Sequence, residues 1–101
     1  MGQHLGLQKK LEELLGSRNV YYQPPETLKM KYPAIVYSKS NIKSRRANNS
    51  VYSFLICYDI TVIDRKPDNP VIVKLLELPY CSFDRHYEAD NLHHDVLTLY
   101  Y

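Results

Sequence analysis

The sequence predicts an α+β domain: a mostly antiparallel β-sheet with a long hairpin, flanked by two helices. Three observations carry this reading. Tyr52, Phe54, Ile56, Tyr58, Ile60 and Val62 alternate with Ser53, Leu55, Cys57, Asp59 and Thr61, a period of two held over eleven residues rich in β-branched and aromatic types. Leu7, Leu11, Leu14 and Leu15 follow the i, i+4, i+7, i+8 spacing of an amphipathic helix. Two strand-like stretches, "YCSFDRHYE" and "LHHDVLTLYY", flank the turn residues "ADN". At 101 residues the chain reads as one domain, 1–101. A domain of this size buries about two-thirds of its unfolded surface, enough for one modest core.

The elements follow in order. The leucine pattern places the first helix at residues 4–15, with Gly16 as its stop. Val20–Gln23 reads as a short strand ended by Pro24-Pro25. "AIVYS", Ala34 to Ser38, reads as a second strand. "KSNIKSRRANNS", Lys39 to Ser50, is polar and can hold strand extensions around a hairpin tip at Asn48-Asn49, because Asn tolerates positive φ. The alternating segment 52–62 presents one wholly apolar or aromatic face to the core. Its other face is mixed, as expected of a surface partly covered by another segment or subunit. Asp68 or Asn69 can cap a second helix near 70–78, with Pro70 at its first position and Pro79 beyond its end. All three glycines lie at or before Gly16, so the later turns must rely on Asn, Asp and Pro.

Composition narrows the function classes. Hydrophobic residues make up 45% and charged residues 24%, the balance of an ordinary folded domain. A net charge of +2 is too small to argue for nucleic-acid binding by itself. Cys57 and Cys81 form no CxxC and no metal-ligand pattern, and read as two buried thiols. No signal peptide and no apolar run near 18 residues is present, so an intracellular, membrane-free protein is expected.

"RHYEADNLHHD", Arg85 to Asp95, holds three of the four histidines and asks whether a metal or catalytic centre is present. On a strand, Arg85, Tyr87 and Ala89 face one way and His86, Glu88 and Asp90 the other. His93 and His94 are adjacent and point to opposite faces, so at most one can join His86 and Glu88. The spacing matches no HExxH motif and no facial triad. The expectation is a solvated hairpin end, with no metal, no cofactor and no catalytic residue. Ser53 and Ser82 lack a His/Asp frame, and Cys81 beside His86 is a weak candidate nucleophile. No glycine-rich phosphate loop can exist after residue 16.

Two features suggest contacts with other macromolecules. "KSRR" supplies Lys43, Arg45 and Arg46, and no acid lies between Lys39 and Ser50. Such a tip either keeps a loop soluble or docks on an acidic surface or near DNA. Ten tyrosines with no Trp, two of them ending the chain at Tyr100 and Tyr101, suit interfaces, because Tyr buries a large area and keeps a hydroxyl for hydrogen bonding. The candidate interface set is Lys43, Arg45, Arg46, Asn48, Asn49, Tyr100 and Tyr101.

From "VYYQPP" and "KYPAIVY" through "YDITVIDRKPD" to "LPYCSFDRHYEADNL", nearly the whole chain resembles the tail-terminator or tail-completion (tail-to-head joining) proteins of long-tailed bacteriophages and prophages. The resemblance implies a structural virion protein without catalytic residues. It implies a ring oligomer, a hexamer, that caps the finished tail tube and joins it to the head connector. The implied partners are further copies of the chain, the major tail tube protein and a head-completion or connector protein, with DNA passing through the lumen. The implied location is the head–tail junction of the virion, and the host cytoplasm during assembly. A head-completion or connector adaptor of the same module is the alternative. A small metal-dependent enzyme, which would have to use His86, Glu88, His93 or His94, is the more distant one.

Overall fold

The structure is a computed structural model. It describes the backbone of residues 4–25, 28–47 and 50–101, and the side chains over 6–25, 28–42 and 56–101. Its elements are α1 (His4–Leu15), β1 (Val20–Tyr22), β2 (Ala34–Ala47), β3 (Ser50–Asp64), α2 (Val71–Leu76), β4 (Cys81–Ala89) and β5 (Leu92–Tyr100). The five strands form one sheet in the order β1-β2-β3-β5-β4. Only β1 and β2 pair in parallel; β2–β3, β3–β5 and β4–β5 are antiparallel. The predicted α+β class, with a mostly antiparallel sheet and two helices, is what the chain forms.

Both helices lie on one face of the sheet. The alternation read in β3 places Tyr58, Ile60 and Val62 there, in register with Leu99, Leu97 and Asp95 of β5. Leu7 and Leu11 of α1 and Val71 and Leu75 of α2 close over them, together with Val20, Ile35 and Tyr37. Leu14 and Leu15 pack at the margin of this core. Burying a leucine of this kind stabilises the fold by roughly 1.5–3 kcal/mol. Truncating Leu11 to Ala would cost about 2–5 kcal/mol, because the cavity adds to the lost transfer energy.

A half-buried polar network fixes α1 to the sheet. The Tyr37 hydroxyl donates to Gln8 Oε1 at 2.6 Å, and Gln8 Nε2 donates to the Val20 carbonyl at 2.9 Å and to Glu12 Oε2 at 3.0 Å. Burial raises the pKa of both Tyr37 and Tyr58 above the ordinary tyrosine range, and neighbouring tyrosines add to it.

The second helix is shorter than the sequence predicts. Asn69 accepts the Val71 N–H at Oδ1 (2.9 Å) and anchors to Asp64 Oδ2 through Nδ2 (2.7 Å), so Asn69 performs the capping expected of Asp68 or Asn69. The helix closes at Leu76, three residues before Pro79, and Tyr80 enters β4 with φ at 62°. Asp90 and Asn91 both take positive φ, 54° and 62°, between paired Ala89 and Leu92. That is the two-residue turn that suits the right-handed twist of a hairpin, made without glycine.

The other sheet face is partly covered by the chain itself. Pro24, Pro25, Leu28 and Met30, from the β1–β2 connection, line a groove with Val36, Thr61, Ile63, Tyr87 and His94. The mixed face of β3 thus meets a segment of its own chain. Cys57 is buried, whereas Cys81 is only half-buried, so the reading of two buried thiols holds for Cys57 alone. Desolvation raises the pKa of the Cys81 thiol.

Candidate functional site

The residues singled out in the sequence fall in three regions: an arm, the C-terminal tyrosines and the histidine cluster. The arm arises from unequal strand lengths. The β3–β5 ladder begins at Cys57, whereas β2 and β3 continue pairing from Ile42↔Ile56 out to Ala47↔Ser50. About six residues per strand therefore run past the body, roughly 20 Å at the usual rise of a strand. The molecule is elongated, 51 × 26 × 23 Å, with a radius of gyration of 14.6 Å. A compact chain of this length has about 13 Å. Lys43 and Arg45 lie on the arm in register with Leu55 and Ser53, and a bulge separates Arg45 from Arg46, which pairs with Val51. Asn48 and Asn49 fall outside the described residues.

Tyr100 and Tyr101 are tied into the sheet rather than loose. Tyr100 N–H donates to the Tyr80 carbonyl (3.2 Å) and Tyr101 N–H to the Ile56 carbonyl (2.9 Å). With Lys10, Leu78, Tyr80 and Leu99 they line an open groove of about 460 Å³. Tyr80 and Tyr101 are exposed there, 73% and 42%. The two terminal tyrosines thus sit near the arm's root, since Tyr100 pairs with Cys57 where the body ends.

The histidine cluster is built by register. A bulge between Phe83 and Arg85 inserts one residue into β4. A shift of one residue exchanges the two faces of a strand. Beyond the bulge, His86 therefore sits opposite Asp95 and Glu88 opposite His93. Asp95 pairs with Val62 of the core on its other side, so all four residues share the helix-covered face. Tyr87 and His94 take the opposite face, where their rings stack at 4.6 Å and 9°. The Arg85 guanidinium lies 5.9 Å from the Tyr87 ring centroid.

Asp95 is the buried charged residue among those described, 8% exposed. His86 Nδ1 lies 2.7 Å from Asp95 Oδ1. His93 Nδ1 lies 3.4 Å from His86 Nε2 and 3.6 Å from Glu88 Oε1. One ligand atom from each of His86, Glu88 and His93 falls within 4.8 Å of the others. The alternation of His86 with Glu88 and the separation of His93 from His94 follow the sequence reading. The part of Asp95 was missed; its spacing of two from His93 was the available signal.

A Cys81–His86 dyad does not form. They stand five positions apart on the strand, roughly 15 Å along the chain, and Cys81 pairs with Leu99 while His86 pairs with Asp95. Among the described residues no helix is long and apolar enough to cross a membrane. No family model matches the chain, and no curated protein matches it with significant similarity.

Proposed function

We propose that this chain is a structural subunit of bacteriophage assembly that acts by binding copies of itself at the head–tail junction, and that it performs no catalysis. The phage assignment rests on the resemblance of its sequence to tail-terminator and tail-completion proteins. The observation that carries the assembly role is the β2–β3 arm. It extends past every other strand, with no strand beside it among the described residues. An isolated two-stranded ribbon is marginal in water, and its open edges invite a further strand. A neighbouring copy in a ring supplies such a partner, and a ring needs two different patches that meet head to tail. The arm is one. The groove beside Tyr80 and Tyr101 is the other, an apolar concavity edged by aromatic residues.

In this reading the arm carries Lys43, Arg45 and Arg46 to the lumen or the adjoining ring. Six copies would gather about eighteen basic residues, a concentration that favours an acidic surface or passing DNA. Reversal of Arg45 and Arg46 to Glu is the test. Purified variant protein should keep its circular dichroism and melting profile, while phage carrying it should accumulate separate heads and tails. Unchanged infectious titre would remove the proposal. Imaging of labelled subunit on particles decides between positions: density at the end of the tail tube supports tail completion, and density on the portal assigns the chain to the connector.

A further inference from the structure

We propose that His86, Glu88 and His93 form a binding site for one zinc-class divalent metal ion on the helix-side face of the β4–β5 hairpin. The inference is independent of the assembly role. It rests on the convergence of three donors from two strands and on the orientation of one of them by a buried carboxylate.

The donor geometry suits a single ion. Two ligands about a tetrahedral metal, each at about 2.0–2.1 Å, stand roughly 3.3 Å apart. His86 Nε2 and His93 Nδ1 are 3.4 Å apart, and His93 Nδ1 and Glu88 Oε1 are 3.6 Å apart. Two imidazole nitrogens so close gain little from each other, since at best one donates a long hydrogen bond to the other. An ion between them satisfies both lone pairs at once. Glu88 has the most exposed side chain of the three, at 66%, and is free to swing the short distance that closes the third bond.

Asp95 selects the tautomer. An ionised carboxylate only accepts, so the 2.7 Å contact places the proton of neutral His86 on Nδ1. The lone pair then lies on Nε2, the atom that faces His93. A carboxylate that holds one imidazole nitrogen while the other binds metal is the usual outer support of a histidine ligand, and it also raises the ligand's basicity. Asp95 is itself buried, and it lines the adjoining cleft with Asn69 and Pro70, which precede α2, and with Val73 of α2. Asp64, in register with His93, is already engaged by Asn69 Nδ2 and the Lys66 N–H, so it is not counted among the ligands.

The donor set selects the metal class. Two imidazoles with one carboxylate suit zinc and its first-row neighbours, whereas magnesium and calcium prefer oxygen alone. Three protein ligands leave a fourth position for water or for a donor from another molecule.

The test uses tag-free protein stripped with chelator, titrated with zinc chloride by calorimetry and with cobalt(II) by visible absorption. The expected result is one ion per chain, the d–d bands of a four-coordinate site, and a raised melting temperature with zinc. His93→Ala should abolish binding. Asp95→Asn should weaken it about 10–100-fold. Glu88→Ala removes an exposed side chain, so its loss of affinity is readable without loss of fold. His94→Ala, on the opposite face, should bind as the parent does. Absence of saturable binding, or equal binding by folded His93→Ala and Glu88→Ala proteins, would overturn the site.

Discussion

Tyr37, on the second strand of the sheet, donates its hydroxyl proton to Gln8 of the first helix at 2.6 Å, and both side chains lie within the helix–sheet interface. This bond joins residues 29 apart in the chain and fixes the rotation of α1 over β1 and β2. Replacing Tyr37 with Phe keeps the ring and its packing on Tyr22 and Tyr58 but leaves Gln8 Oε1 without that donor. The expected cost is about 1 kcal/mol, a net hydrogen bond in a partly solvated setting. For a domain of this size that is a fall of roughly 4–8 °C in melting temperature. Thermal unfolding of the purified Tyr37→Phe protein measures it, and an unchanged midpoint would mean that the bond contributes nothing.

The same tyrosines set the alkaline limit of the fold. Burial raises the pKa of Tyr37 and Tyr58 above that of the unfolded chain, about 10 for tyrosine. A raised acid keeps its proton in the folded state after the unfolded state has lost it. Their contribution is therefore complete below about pH 10 and is lost progressively as pH rises beyond it. Urea midpoints should be flat through the approach to pH 10 and fall above it. Tyr37→Phe should flatten that fall relative to the parent. A parent whose midpoint does not move above pH 10 would contradict the burial of both hydroxyls.

Much of this architecture was legible because its signals are local. The alternation from Ile56 to Val62 reports a strand with one buried face, and Leu7 with Leu11 reports a helix seated on it. What stayed hidden depends on partners far along the chain. Nothing in Val20–Tyr22 announces that it pairs in parallel with Ile35–Tyr37. The bulge after Phe83 was equally silent, and it decides which sheet face receives His86 and Glu88. Sequence alternation showed that only one of His93 and His94 could join them, but choosing between the two required the register of β5. The arm was legible as strand extensions around a hairpin tip, and the ladder carries that pairing out to Ala47 and Ser50; that β5 stops short of it at Cys57 was not.

The Asp90-Asn91 turn offers a test of how the β4–β5 register is held. Both residues have positive φ, which costs an ordinary side chain roughly 1–2 kcal/mol and a β-branched one more. Asn91→Gly should be neutral or mildly stabilising, because glycine accepts this conformation without strain. Asn91→Val should destabilise by about 1–2 kcal/mol. Chemical denaturation of both variants gives the comparison. Equal midpoints would show that the turn does not constrain the hairpin.

Shortening the arm separates its two possible roles, support of the body or contact with a partner. Among the described residues the ladder from Lys43 to Ala47 pairs only with Ser50–Leu55, and β5 makes its first pair with β3 at Cys57. Removing residues 44–54 and joining Lys43 to Leu55 through Asn-Gly therefore deletes no strand pairing of the body. The shorter loop also lowers the entropy cost of closing the hairpin slightly. The truncated chain should unfold within about 1 kcal/mol of the parent, since it keeps every strand pair of the body from Ile42–Ile56 inward. If the proposed ring contact is made by the arm, self-association followed by analytical ultracentrifugation at rising concentration should be seen for the parent and lost on truncation. A truncated chain that fails to fold would make the arm part of the domain's own stability. One that folds and still assembles would place the subunit contact elsewhere on the sheet.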